Sequence, residues 1–269
     1  MRRYTTAEGY TLVELLIVVA IVGMVAGAIV GVYQVSQGIY TRATALEEAQ
    51  LGARAGLDRM AGEFRLIGSY WSGACCNPEP AIITAPTATS ISFRADVDAD
   101  TLNAAGQEIT LTAPPASDPP SISVNRTTGS SGNAFTAGEW VHVANGAKRE
   151  VKQIAAYENG TTIPLTAPLA SSFPGSLQPE TVRSVETITY DLNGTDLRRN
   201  GVGIVENVSV LKFTYFLSDG VTLTTDPALI REIQIDLTVC VKQTIASSCQ
   251  DPDSSLRQMT TRVKPRSLP

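Results

Sequence analysis

Residues Leu15 to Val32 run for 18 positions without a charge, a proline or a strongly polar group, with Glu14 before them and Tyr33 and Gln34 after. That is the lower length for a membrane-spanning helix, and it restricts the possible folds more than any other feature of the chain. A secretory signal peptide also has a basic start and an apolar run, but its apolar part is shorter and ends at a small-x-small cleavage site. Here the run flows into more helix-favouring sequence. No proline occurs from Tyr10 to about Ile67, which predicts one continuous rod of about 87 Å at 1.5 Å per residue. Arg2 and Arg3 precede the span, so the leader stays in the cytoplasm and everything after Val35 is exported.

The second half of the rod carries a stripe at Ile39, Ala43, Leu46, Gln50, Ala53, Leu57, Met60, Phe64 and Ile67, alternating in steps of four and three. Such a stripe packs on something. Arg42, Glu47, Glu48, Arg54, Asp58, Arg59, Glu63 and Arg65 fall between, and read as a solvated face. Gly68 ends the helix. Beyond it the pattern changes to short β-branched and aromatic runs: Ser90 to Arg94, Glu139 to Val143, Ser184 to Leu192, Val208 to Leu217 and Ile230 to Val241. In the last of these Ile233, Ile235, Leu237, Val239 and Val241 alternate with polar residues, so one face is core and the other wet. Asn193-Gly194 and Asp219-Gly220 mark tight turns. Residues 113–138, rich in Pro, Ser, Thr and Gly, read as a long surface loop or an inserted excursion. The expected fold is therefore α+β: a long N-terminal helix, half transmembrane (10–35) and half amphipathic (36–68), packed on a mostly antiparallel sheet domain (69–269).

With 17% charged residues, a net charge of −5 and no basic cluster, the chain has no surface for a run of phosphates, and nucleic acid is not an expected partner. Four cysteines, Cys75, Cys76, Cys240 and Cys249, suit disulfides in an exported body. Alternation places Cys240 on the polar face of its strand, and Cys240 to Cys249 is the first expectation. The adjacent Cys75 and Cys76 would form a strained bond with each other, so crossed pairing with the C-terminal cysteines stays open. Asp96, Asp98 and Asp100 alternate as in a calcium loop, but Thr101 stands where the turn glycine belongs and Gln107 where the bidentate glutamate belongs. No metal or other cofactor is expected. The only histidine, His142, reads as a strand residue, and no nucleophile elbow or phosphate loop occurs; no enzyme activity is expected.

The N-terminus reads Ala7-Glu8-Gly9-Tyr10-Thr11-Leu12-Val13-Glu14, followed by the apolar run. It resembles the class III signal of type IV pilins and type II secretion pseudopilins: a charged leader ending in glycine, then an aromatic residue, then a glutamate fifth in the mature chain. The resemblance implies that a prepilin peptidase cuts after Gly9 and methylates the amino group of Tyr10, removing residues 1–9. A carboxylate at the edge of a span is costly and generally functional. Glu14 would pair with the Tyr10 amino group of its own chain or of a neighbour, setting the register of subunits as a filament grows. Gly23, Gly27 and Gly31 repeat at four-residue intervals on one face, which lets helices approach closely in lipid.

Three further segments resemble PilW-type minor pilins, which are related to the J-type pseudopilins of type II secretion. They are Ala53 to Gly68, Val205 to Val208 leading into Leu211 to Tyr215, and Thr261 to Arg266. The resemblance implies a structural minor pilin that primes filament assembly, at the tip. Its implied partners are other minor and major pilins, the prepilin peptidase, the inner-membrane assembly platform and a tip adhesin. It also implies a single-pass inner-membrane precursor that passes into a surface filament. A minor pseudopilin of type II secretion is the alternative, and a singly anchored periplasmic binding protein a more distant one.

Overall fold

The structure is a computed structural model of the chain, and it describes residues 11–69, 81–97, 109–110, 121–123, 135–145, 148–156, 162–170, 176–177, 182–241, 255–266 and 268. One helix, α1 (Leu12–Arg65), runs for 54 residues, about 81 Å at 1.5 Å per residue. Its first part is rich in Val and Ile, mediocre helix formers in water, but in lipid only a helix satisfies every backbone group within one segment. It stops two residues before Ile67. The Leu66 and Ile67 N–H groups donate to Glu63 and Phe64, three residues back, at 3.0 and 3.3 Å, so the last turn tightens. Gly68 then takes φ +77° and donates its N–H to the Arg94 carbonyl at 2.9 Å, which ties the end of the helix to the first long strand.

The strands are β1 (Ile83–Thr84), β2 (Ser90–Ala95), β3 (Ile109–Thr110), β4 (Ser121–Ser123), β5 (Trp140–Asn145), β6 (Lys148–Gln153), β7 (Thr162–Pro164), β8 (Ser176–Leu177), β9 (Val182–Asn193), β10 (Asp196–Arg199), β11 (Val202–Val205), β12 (Val208–Phe216), β13 (Glu232–Val241) and β14 (Ser255–Val263). One sheet has the order β1-β2-β9-β10-β11, with β5 and β6 joined to it through β9; a second is β12-β13-β14; β3–β8 and β4–β7 are separate ladders. Every ladder is antiparallel. The fold is α+β, as expected, and all five expected strands are present.

The 12-residue β9 is the spine of the larger sheet. Its first residues, Val182 to Val185, pair with β5, and Glu186 to Asp191 pair with β2. Its end turns through Gly194 and Thr195, with Gly194 at φ +63°, into β10. A second Asn-Gly pair, Asn200-Gly201, takes φ values of +50° and +80° and closes the β10–β11 hairpin. Two consecutive positive φ angles are what a type I′ turn requires, and sequence reading did not single this pair out.

Two cores result. The main one joins the C-terminal part of α1 to both sheets. Phe64 sits at its centre, with ring centroids 5.2 Å from Phe93 on β2, 5.7 Å from Tyr190 on β9 and 5.8 Å from Phe213 on β12. A second core, between β2 and β9 in sequence, gathers Ile122, Phe135, Val141, Val143, Ile154, Ile163, Leu165 and Leu169. Of the two readings of residues 113–138, the described ones fit an inserted excursion better than a surface loop: they supply β4, Ile122 and Phe135, the last two with no exposed surface. The outer face of β13 is also not uniformly wet. Cys240 is 1% exposed, and Glu232 is buried beneath Arg262 and Lys264 at 3.5 and 3.4 Å. Long cationic side chains lie over the sheet and cover what alternation assigns to solvent.

Candidate assembly site: the exposed rod and its anchored end

Every side chain of α1 from Leu12 to Ala43 is exposed. It is a helix long and apolar enough to cross a membrane, and no residue of its most apolar window is buried. Gly23, Gly27 and Gly31 have nothing within 4 Å of where a Cβ would stand, so their close-packing face is presented outward. The expected stripe is buried only from Ala53 onward; Leu46 and Gln50 are half-buried, and Ile39 and Ala43 are exposed. Reach explains the difference. The β domain meets only the C-terminal part of the rod, along β11, β13 and β14 and around Phe64, which reaches β2, β9 and β12.

At the other end, Glu14 closes a capping box with Thr11. The Thr11 N–H donates to Glu14 Oε2 at 2.9 Å, the Thr11 hydroxyl donates to the same oxygen at 3.1 Å, and the Glu14 N–H donates to Thr11 Oγ1 at 3.3 Å. Two otherwise unpaired N–H groups are satisfied, and the carboxylate faces the positive end of the helix dipole. The Thr-x-x-Glu spacing before an apolar run carries this signal in the sequence. The expected processing residues Gly9 and Tyr10 lie outside the described residues.

The anchored end holds a buried charge that sequence reading placed on the solvated face. Glu63 is 6% exposed. It accepts from Arg199 Nε at 3.0 and 2.9 Å, from Arg59 Nε at 3.1 Å and from the Tyr190 hydroxyl at 2.7 Å. Burial, then the hydrogen bond and charge of Glu63, raise the Tyr190 hydroxyl above its ordinary pKa. Burial alone would lower Arg199, and Glu63 outweighs it and raises the guanidinium. A buried carboxylate is tolerable only with such partners. Glu63 lies three residues after Met60 and four before Ile67, inside the buried sector, and its position on the helical wheel was the available signal. Beside this joint Gly56 lets β11 approach, since a Cβ there would collide with Val205 Cγ2.

The remaining expected sites scatter. Cys240 is disulfide-bonded, but Cys75, Cys76 and Cys249 lie outside the described residues, so the pairing does too. Asp96 forms an ion pair with Arg183 at 3.3 Å, and Asp98 and Asp100 lie outside the described residues. Among the described residues no group of three or more His, Cys, Asp or Glu could hold a metal. His142 is a β5 residue, 7% exposed, and its Nε2 has no partner among the described residues. Burial, then the positive charges of Arg149 and Arg183, push its pKa down to about 4.

The exposed rod, with a capped glutamate at its start, defines a class: a chain with one membrane-capable N-terminal helix ahead of a β domain. Comparison with family models narrows it, because residues 6–30 match the prokaryotic N-terminal methylation motif, the type IV pilin-like signal. No curated protein and no solved structure matches the chain.

Proposed function

We propose that the protein is a structural minor pilin of a type IV pilus, one that helps initiate filament assembly. The observation that carries this reading is the exposed first half of α1, a rod apolar on every side and continuous with a helix end embedded in its own domain. From Leu15 to Thr41 the chain has 27 residues without a charge, about 40 Å of helix, which matches a bilayer with its headgroups. Such a surface suits lipid first and the rods of neighbouring subunits afterwards. The methylation-motif match at residues 6–30 supports the same reading.

On this reading the prepilin peptidase cuts after Gly9, and Tyr10 becomes the methylated terminus. The body is periplasmic, and its partners are other minor and major pilins, the inner-membrane assembly platform and a tip adhesin. Gly23, Gly27 and Gly31 admit neighbouring rods closely. Cys240 pairs with Cys249, nine residues further along the chain. Glu14 aligns subunits by pairing with a Tyr10 amino group, exchanging its internal Thr11 partners for a cation.

The test is a quantitative blot of this protein in sheared filaments and washed membranes, for wild type and Glu14→Ala, alongside filament mass in a deletion strain. Trace amounts in filaments, few filaments after deletion, and a Glu14→Ala chain that inserts but incorporates poorly are expected. Normal incorporation of Glu14→Ala would sink the register role. Absence from filaments together with lost secretion of periplasmic enzymes would identify a type II secretion pseudopilin instead.

A further inference from the structure

The two outer strands of the β12-β13-β14 sheet end differently. On the β12 side, Phe213 donates its N–H to the Ala88 carbonyl at 2.7 Å, and the Tyr215 and Phe216 carbonyls accept from Thr224 and Arg231 at 3.1 and 2.9 Å. The β14 side has no such cover. Its ladder with β13 pairs all nine residues without a register shift, and outside that ladder Ser255–Val263 makes no backbone–backbone hydrogen bond among the described residues.

The pairing fixes which groups face outward. A residue in an antiparallel ladder turns its N–H and C=O to the same side, and successive residues alternate. Phe213 and Tyr215 turn theirs away from β13, so Thr214 bonds Gln234, its register partner, and the odd-numbered residues of β13 bond β14. Leu256, Gln258, Thr260 and Arg262 are therefore left pointing away from the sheet. The Leu256 carbonyl accepts from Arg257 Nη1 at 3.4 Å, and the other outward groups have no partner among the described residues. Between this edge and α1 lies an open groove of about 490 Å³. Leu51, 68% exposed, and the half-buried Met259 line it, with Arg54, Arg257 and Glu47 around them.

Residues 255–266 carry Arg257, Arg262, Lys264 and Arg266 and no acid, in a chain whose net charge is −5. Arg262 and Lys264 meet Glu232 at 3.5 and 3.4 Å. Arg54 and Arg257 make no ion pair among the described residues. A long unpaired edge is a template for strand addition, which proteins commonly block with bulges, prolines or a covering segment. From Ser255 to Val263 there is no proline and no bulge. The cations repel the same strand of a second copy and favour an acidic one.

We propose that β14 is a docking edge for an extended acidic segment of a different protein, which adds to this sheet as its fourth strand. Main-chain bonds to Leu256, Gln258, Thr260 and Arg262 hold the segment. Its side chains on the α1 side enter the groove at Leu51 and Met259, and its carboxylates meet Arg54 and Arg257. The docking edge does not depend on the filament reading and survives its failure.

The test uses the full chain in detergent and a fluorescent nine-residue peptide alternating glutamate and valine, about 30 Å long as a strand. Saturable binding is expected, slowing amide exchange at Leu256, Gln258, Thr260 and Arg262 while leaving Arg257, Met259 and Thr261, already bonded to β13, unchanged. Affinity should fall about tenfold or more for the peptide N-methylated at two adjacent central residues, which removes a donor from both of its edges, and for the peptide with lysine in place of glutamate. Arg257→Glu should weaken binding roughly tenfold. Gln258→Pro removes an outward N–H and no ladder bond, and should weaken binding at an unchanged melting temperature. If that variant melts lower, the methylated peptide decides the matter on the wild-type chain. No binding, equal binding of the methylated or lysine peptide, or protection elsewhere on the chain would overturn the proposal. Outward amides that become protected as protein concentration rises, without peptide, would give the edge to a second copy and overturn it as well.

Discussion

Residues 12–43 and 53–67 belong to one uninterrupted helix, yet every side chain of the first stretch is exposed while Ala53, Leu57, Met60, Phe64 and Ile67 in the second are buried. The two stretches use different chemistry. The exposed stretch has no charge from Leu15 to Thr41, as befits a surface whose surroundings are lipid or another rod. The anchored stretch accommodates the buried Glu63, because β9 and β10 supply a hydroxyl and a guanidinium to meet it. A helix surface can hold a buried charge only where its own fold guarantees the partner. From Leu15 to Thr41, where any partner must arrive from outside, the surface carries no charge at all.

Substitutions that unbalance one stretch and spare the other sharpen this contrast, and the largest effect is expected at Phe64. Phe64→Ala removes a ring with no exposed surface that touches both sheets, and should lower the stability of the detergent-solubilised chain by about 3–5 kcal/mol. A loss below about 1 kcal/mol in denaturant titration would mean that the helix end is not the centre of the core.

Acid should loosen the β domain while leaving the exposed stretch of α1 helical. The pKa of His142 is held down at about 4, from an ordinary 6.5, so its contribution is complete above pH 6.5 and is lost as pH falls through 4. The loss should approach about 3 kcal/mol below pH 4. His142→Gln should flatten that part of the stability–pH curve, and an unchanged slope would count against the assignment.

The smallest expected effect comes from two glycines of the same helix. Gly56→Ala drives a methyl into Val205 and should cost about 1–3 kcal/mol. Gly27→Ala meets nothing and should leave the fold unchanged or firmer by up to about 1 kcal/mol through helix propensity. Equal effects in thermal melts would erase the distinction between the two stretches.

Much of the architecture was legible because it is local. The apolar run, the missing prolines and the four-three stripe depend on residues a turn apart, and the alternation of Ile233 to Val241 on residues two apart. Residues 113–138 left two readings open, because Pro, Ser, Thr and Gly signal turns without revealing that Ile122 and Phe135 are buried with Val141, Val143 and Ile163. The methylation signal was readable as a linear motif, whereas the partners of Glu63 were not, because Tyr190 on β9 and Arg199 on β10 reach α1 only through folding.

The sequence by itself determined that this chain has one membrane-capable helix with a processing-type start, followed by an antiparallel β body, since each of those properties is a short-range pattern. Only the tertiary structure decided where along that helix its own domain stops. It also decided that β9 gives Ile188 and Tyr190 to the main core and Val185 to a small separate cluster with Val151, and that Glu63 is part of the joint and not of the surface. The physical reason is separation along the chain: Glu63 and Arg199 are 136 residues apart, and no periodicity can announce a partner that only folding brings within 3 Å.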